Sequence, residues 1–304
     1  MKRMGIHCKA LIIILLIVNC CLTSEVVTAQ PTKNQSLNIF LKKGKPQKHF
    51  KYKGDGSVIV SGHRGGREKG YPENSLEGFE NVLRQMPAFF EIDPRITKDS
   101  IIVLMHDATL DRTTTGKGRL SDYTWEQLKS IRLKDSEGHV TDCKIPTLEE
   151  VIKWSKGKTV VNLDKKDVPM EMIVALIKKL HADRHVMLTV HNGKQARYYY
   201  EHFPQIMMSV FARTMKEYKD IATSGVPWKN MIAYVGPTIN SENSRIVELL
   251  HKKGVRCMTS VAPTHDKLAT SDERQKAYLE EINKHPDIIE TDIPTEVWSA
   301  LQAK

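Results

Sequence analysis

The chain reads as an α/β protein, a (β/α)8 TIM barrel with a β-hairpin and loop insertion after its second strand. Three observations lead there. Eight short apolar runs follow residue 57, amphipathic stretches separate most of them, and chemistry-bearing polar residues collect where the runs end. A doubly wound sheet would need fewer strands and a G-x-G-x-x-G phosphate fingerprint, which is absent.

The runs justify this in order. "VIVSG" (58–62) is followed by "HRGGREKGYPENSLEGF", which reads as strand, loop and helix, with Asn74 or Ser75 as N-cap. "FFEID" (89–93) is the second strand. It leads into "RITKDSIIVLMHD" (95–107), where extended runs flank the turn-forming Lys98, Asp99 and Ser100, predicting the inserted hairpin. "TVVNLD" (159–164), "VMLTV" (186–190), "IMMSVFA" (206–212), "MIAYVG" (231–236), "VRCMTSV" (255–261) and "DIIETD" (287–292) complete the set. Among the helices between them, "NSENSRIVELLHKKG" is opened by Asn240 or Ser241 and closed by Gly254.

The first 56 residues are different. "MKRMGIHCK" is basic, "ALIIILLIV" is apolar and too short for a span, and "VVTAQ" offers small residues for cleavage. Residues 1–29 therefore read as a signal peptide removed after Ala29, for a periplasmic or secreted protein. Lipid modification at Cys20 or Cys21 is the minor alternative, disfavoured by Asn19 before the first cysteine. Residues 30–56, polar and basic, read as a linker or an arm over the domain, and 57–304 as the barrel domain.

Losing three cations and one anion with residues 1–29 lowers the formal charge from +10 to +8. That favours anionic partners, but the lysines are scattered and the arginines do not interleave with aromatics, so nucleic acid is not expected. No stable membrane span follows the signal. Two cysteines remain, Cys143 and Cys257, read as buried free thiols. Oligomeric state is not legible.

Glu91 and Asp93 are two apart on a strand, so both carboxylates face one side. Buried together they would repel and resist ionisation unless a cation compensated. Asp164 from the neighbouring strand adds a third oxygen donor, and a hard divalent ion, Ca²⁺ or Mg²⁺, suits a set without clustered Cys or His. His63 and His106 follow different strands at the same barrel end and can divide general acid and base work. Arg64 offers a planar fork for phosphate oxygens and Lys166 a point charge. Acids for a metal, cations for an anion and two proton carriers fit phosphoryl transfer better than acyl or glycosyl chemistry.

"HRGG", "PENSLEGF", "EIDPRITKDSIIVLMHDATLDRTTTGKG", "PTLEEV" and "IIETDIP" resemble the glycerophosphodiester phosphodiesterase family over about residues 58–298. The resemblance implies a (β/α)8 barrel in which His63 and His106 are the acid/base pair, Glu91, Asp93 and Asp164 hold the metal, and Arg64 and Lys166 grip the phosphate of a small-molecule glycerophosphodiester. Three departures from the family pattern stand out, bearing in turn on metal position or ion preference, on the wall beside a glycerol moiety, and on where the second strand ends. Asp164 stands where glutamate is more common, Met258 where a tryptophan before threonine is usual, and Pro94 where a β-branched residue is common. The expected reaction is metal-dependent hydrolysis to glycerol 3-phosphate, or a related phosphomonoester, and an alcohol. The alternatives are a cyclising phospholipase-type lyase and a non-catalytic phosphate-binding barrel.

Overall fold

The computed structural model describes residues 46–303. The signal-peptide segment 1–29 and most of the arm, through residue 45, lie outside the described residues. Eight parallel strands close into a barrel. These are β1 (Ile59–Gly62), β2 (Phe89–Ile92), β7 (Val161–Leu163), β8 (Val186–Val190), β9 (Met207–Phe211), β10 (Met231–Gly236), β11 (Cys257–Ser260) and β12 (Ile288–Thr291). All eight coincide with the apolar runs of the sequence.

Between β2 and β7 the chain makes two antiparallel hairpins. The expected one pairs β3 (Pro94–Ile96) with β4 (Ile102–Leu104), Arg95 facing Val103. Pro94 opens β3, and the turn includes Ser100 at φ 62. The second, β5 (Arg132–Lys134) with β6 (Val140–Lys144), lies within the loop insertion and has no separate sequence expectation. The insertion has its own small core around Val103, Leu110, Leu120 and Leu133.

Helices cover the barrel, each burying one stripe against the sheet. In α2 (Leu76–Gln85) the buried side is Gly78, Phe79 and Val82. In α8 (Ser244–Lys252) it is Ile246, Val247 and Leu250. Ser75 is the N-cap of α2, accepting from the Gly78 amide at 3.0 Å. Capping boxes at Thr147, Thr214 and Thr270 start α4 (Leu148–Ser155), α7 (Met215–Ala222) and α9 (Ser271–Ile282). Cys143 and Cys257 are buried free thiols. Among the described residues no helix is long and apolar enough to cross a membrane.

The barrel interior follows from the two-residue period of a strand. One tier is apolar: Phe89, Val160, Met187, Met207, Ile232, Met258 and Ile288 form a single buried cluster. Two residues later on the same strands stand Glu91, Asn162, Thr189, Ser209, Tyr234, Ser260 and Glu290, which line an open cavity. Each strand thus places an apolar residue in the plug and a polar one above it. From below, Phe50 inserts into the plug, 1% exposed, its ring edge-on to Phe89 at 5.3 Å. The barrel is sealed at its N-terminal end and open, polar and acidic at its C-terminal end.

Candidate active site at the C-terminal barrel mouth

His63, Asp93, Asp164 and Asp292 each stand one residue beyond the end of a barrel strand, and Glu91 and Glu290 lie within β2 and β12. The loop after β1 turns sharply: Arg64, Gly65 and Gly66 have φ of 56, 86 and 98°. A Cβ on Gly65 would meet the Phe79 ring at 2.1 Å, so glycine is required there on both counts. Arg64 is not glycine, and its strained backbone is held by two bonds. Its amide donates to Glu91 Oε2 (2.9 Å), and its carbonyl accepts from the Asn74 amide (2.7 Å).

Glu91, Asp93 and Asp164 bring carboxylate oxygens within 4.8 Å of one another. Asp93 is fixed by Asn74, which donates from Nδ2 to Oδ2 (2.7 Å) and accepts the Asp93 amide (3.1 Å). Lys166 Nζ lies 3.0 Å from Asp93 Oδ1 and 2.7 Å from Asp164 Oδ2. Burial opposes ionisation of Asp93, yet Lys166 and the Asn74 hydrogen bond outweigh it and hold its pKa down. Glu91 has only the Arg64 amide to help it. Burial, then Asp93, Glu290 and Asp164, push its carboxyl well above the usual range. More negative charge converges here than one ammonium balances, and all the donors are hard oxygens. The set therefore fits a divalent cation of the Ca²⁺ or Mg²⁺ type.

Each predicted histidine has a carboxylate at its back. His63 Nδ1 donates to Asp292 Oδ1 (2.6 Å), which leaves Nε2 directed inward, 3.9 Å from Glu91 Oε2. Burial lowers the His63 pKa, but the Asp292 hydrogen bond and the Glu290 and Asp292 charges raise it further, and the net shift is upward. Asp292 is itself anchored by Arg67 Nη2 and by Lys267 Nζ at 3.0 Å. His106 Nδ1 bonds Asp107 Oδ1 (2.8 Å), and Arg112 Nε holds Asp107 Oδ2 (2.7 Å).

The structure brings His63, Glu91 and Asp164 to the wall of a 310 Å³ cavity. His106, just beyond the β3–β4 hairpin, is not one of the residues lining that cavity, but its charge is felt by Asp93. Arg64 and Lys166 are engaged rather than open. Arg64 Nη1 pairs with Glu73 Oε1 (3.2 Å), and Lys166 bridges two carboxylates. Glu73 also takes two hydrogen bonds from Arg112 (2.8 and 3.0 Å), tying the loop after β1 to the insertion.

Several site residues were not singled out from sequence: Asp292, Glu290, Glu73, and the wall residues Phe211, Arg213 and Tyr234. The first two carried the same signal as Glu91 and Asp93, since "ETD" repeats the "EID" spacing at a strand end. Met258 belongs to the apolar plug and also floors the cavity. A second cluster, His251, Cys257 and Asp287, is internally satisfied. Asp287 Oδ2 bonds His251 Nε2 (2.8 Å) and the Cys257 amide (2.7 Å).

Fold and site together define a (β/α)8 barrel with an acidic, cation-accepting centre between two carboxylate-backed imidazoles. Comparison with known proteins narrows this. The sequence profile of the Glycerophosphoryl diester phosphodiesterase family matches residues 63–259, and the chain belongs to that family. It is 51% identical to a glycerophosphoryl diester phosphodiesterase from Parabacteroides distasonis of known crystal structure, with a TM-score of 0.82 over 84% of this chain and 90% of that one. An Oleispira antarctica phosphodiesterase in complex with the product sn-glycerol-3-phosphate shares the fold at 21% identity, with a TM-score of 0.61 over 80% of this chain and 96% of that one. A glycerophosphodiester phosphodiesterase from Caldanaerobacter subterraneus subsp. tengcongensis is 31% identical over 149 residues, 46% of this chain. That match spans only 60% of the relative's own length.

Proposed function

We propose that this protein is a metal-dependent phosphodiesterase that hydrolyses glycerophosphodiesters to glycerol 3-phosphate, or a related phosphomonoester, and an alcohol. The observation that carries the reading is the acidic cluster flanked by His63–Asp292 and His106–Asp107. Family membership and the product complex of the Oleispira relative support the substrate class.

Glu91, Asp93 and Asp164 would hold the ion, Ca²⁺ or Mg²⁺. When bound, it supplies positive charge to the phosphate oxygens as negative charge builds there. The chain's own residues do the rest. Arg64 and Lys166 orient the phosphate, Arg64 from a loop braced by Glu73. Asp292 and Asp107 hold the Nδ1 protons of His63 and His106, so each ring presents Nε2 to the substrate. One histidine takes the proton from the substrate hydroxyl adjacent to the ester, and that oxygen attacks phosphorus. The other gives a proton to the departing alkoxide, which leaves as the alcohol. Water then opens the cyclic phosphate to the monoester, with the histidine roles reversed. Residues 1–29, read as an export signal, put this activity in the periplasm or outside the cell.

The test is to assay the purified protein on glycerophosphocholine and glycerophosphoethanolamine with Ca²⁺, Mg²⁺ or EDTA. Release of choline or ethanolamine that stops with EDTA supports the reading. Cleavage that ignores EDTA removes the three-carboxylate site from it.

A further inference from the structure

The two histidines are carried differently. His63 directly follows a barrel strand, β1, whereas His106 stands two residues past β4 on chain that is neither helix nor strand. Its side chain is 33% exposed, so packing alone does not fix it. Hydrogen bonds do. The Met105 amide donates to the Asp93 carbonyl (2.9 Å), and His106 Nδ1 bonds Asp107 Oδ1. The His106 carbonyl accepts twice from one guanidinium, from Arg95 Nε at 2.9 Å and Nη2 at 2.6 Å. Asp107 orients the ring. The Arg95 fork acts one step earlier, on the backbone from which the ring projects.

Arg95 is well placed to be a fixed point. It lies on β3, immediately after the strand end that carries Glu91 and Asp93, and pairs across the hairpin with Val103. Its third donor, Nη1, holds Asp167 Oδ2 at 2.8 Å, and the neighbouring Ile96 amide donates to Asp167 Oδ1 at 3.3 Å. Asp167 belongs to the loop after β7, the same loop that presents Asp164 and Lys166. One planar guanidinium therefore joins the His106 backbone to the two segments that carry the carboxylate cluster. A lysine ammonium is a single point charge and cannot reproduce that fork.

We infer that Arg95 is a positioning residue, which sets His106 at its working place beside the carboxylate cluster by clamping the His106 carbonyl while Asp167 steadies the clamp. This rests on the phosphodiesterase reading above and adds what places its second imidazole.

The experiment pairs turnover with NMR. Wild type, Arg95→Ala, Arg95→Lys and Asp167→Asn are assayed on glycerophosphoethanolamine over a range of Ca²⁺. Each is also prepared with isotope-labelled imidazoles, the His63 and His106 signals being assigned from alanine variants. Arg95→Ala should lower kcat about 10- to 100-fold, the cost of moving a reacting group by about 1 Å, with KM and the Ca²⁺ requirement nearly unchanged. Arg95→Lys should recover little of this. Asp167→Asn, whose amide oxygen still accepts from Arg95, should stay within about threefold of wild type. On a His106→Ala background, Arg95→Ala should cost almost nothing further in kcat. The His106 signal should shift or broaden in Arg95→Ala while the His63 signal stays. Should Arg95→Ala not fold, Arg95→Lys carries the same comparisons. Equal kcat penalties with and without His106 overturn the inference, as does a loss that excess Ca²⁺ restores or full activity in Arg95→Lys. So does an Arg95→Ala protein that melts earlier yet keeps its kcat and its His106 signal. If wild type leaves the diester intact, the phosphodiesterase reading falls, and the His106 signal alone decides whether Arg95 places that ring.

Discussion

Replacing Asp292 by asparagine isolates what the carboxylate behind His63 contributes. The amide keeps the shape but loses the charge that accepts from His63 Nδ1 at 2.6 Å and anchors Arg67 and Lys267. If Asp292 acts by holding the His63 proton on Nδ1, the variant should lose the yield of a positioned proton carrier, about 10² to 10³ in kcat, or roughly 2.7–4 kcal/mol. KM should move less than threefold, since the phosphate-facing groups are elsewhere. The decisive assay is a double-mutant cycle with His63→Ala. Because the two side chains form one unit, Asp292→Asn should cost almost nothing further in kcat on the His63→Ala background. Melting temperature supplies the control, since the lost contacts to Arg67 and Lys267 should lower it equally on both backgrounds. Equal kcat penalties with and without His63 would refute the claim that Asp292 works through that ring.

Other residues give sharper separations of role. Glu91→Gln should raise the Ca²⁺ or Mg²⁺ concentration for half-maximal activity by at least tenfold, with partial recovery in excess ion; a loss of kcat that no ion concentration restores would contradict its place in the metal set. Glu73→Gln leaves the guanidinium groups of Arg64 and Arg112 without their shared anion and should cost about 3 kcal/mol at pH 7. Burial alone would raise the Glu73 pKa, but the Arg112 hydrogen bonds and the arginine charges lower it below its ordinary value. Its stabilisation is therefore complete above about pH 4.3 and fades as pH falls through the folded pKa, so the melting gap between wild type and variant should shrink in acid. Phe50→Ala should open a cavity in the plug and cost about 3–5 kcal/mol with kcat nearly intact, checked by thermal melting beside the activity assay.

The barrel was legible because each strand is a short apolar run ended by a polar group, and because "EID" and the two "H" motifs sit at those ends. Legibility stopped where a residue's meaning depends on pairing across the fold. Glu73 is a helix-preceding acid in sequence and becomes the shared partner of Arg64 and Arg112 only once the insertion folds back. Lys166 reads as a phosphate-binding cation, and in the fold it bridges Asp93 and Asp164. Glu290 looked like part of a terminal strand motif, and its direction into the cavity depends on closing β12 against β1. Phe50 lies in a stretch whose polarity suggested an arm, and no local pattern announces that one ring fills the barrel's lower end.

The central claim is that this barrel mouth cleaves phosphodiesters by two positioned imidazoles beside a carboxylate-held ion. Phosphorus NMR of glycerophosphoethanolamine turnover tests it most directly. With Ca²⁺ or Mg²⁺ present, the diester signal should give way to a phosphomonoester, with any cyclic phosphate only transient. The rate should fall about 10² to 10⁴ in both His63→Ala and His106→Ala proteins of unchanged melting temperature. A cyclic phosphate that accumulates as the final product would make the protein a lyase. An unchanged diester signal, or full turnover in either alanine variant, would contradict the account.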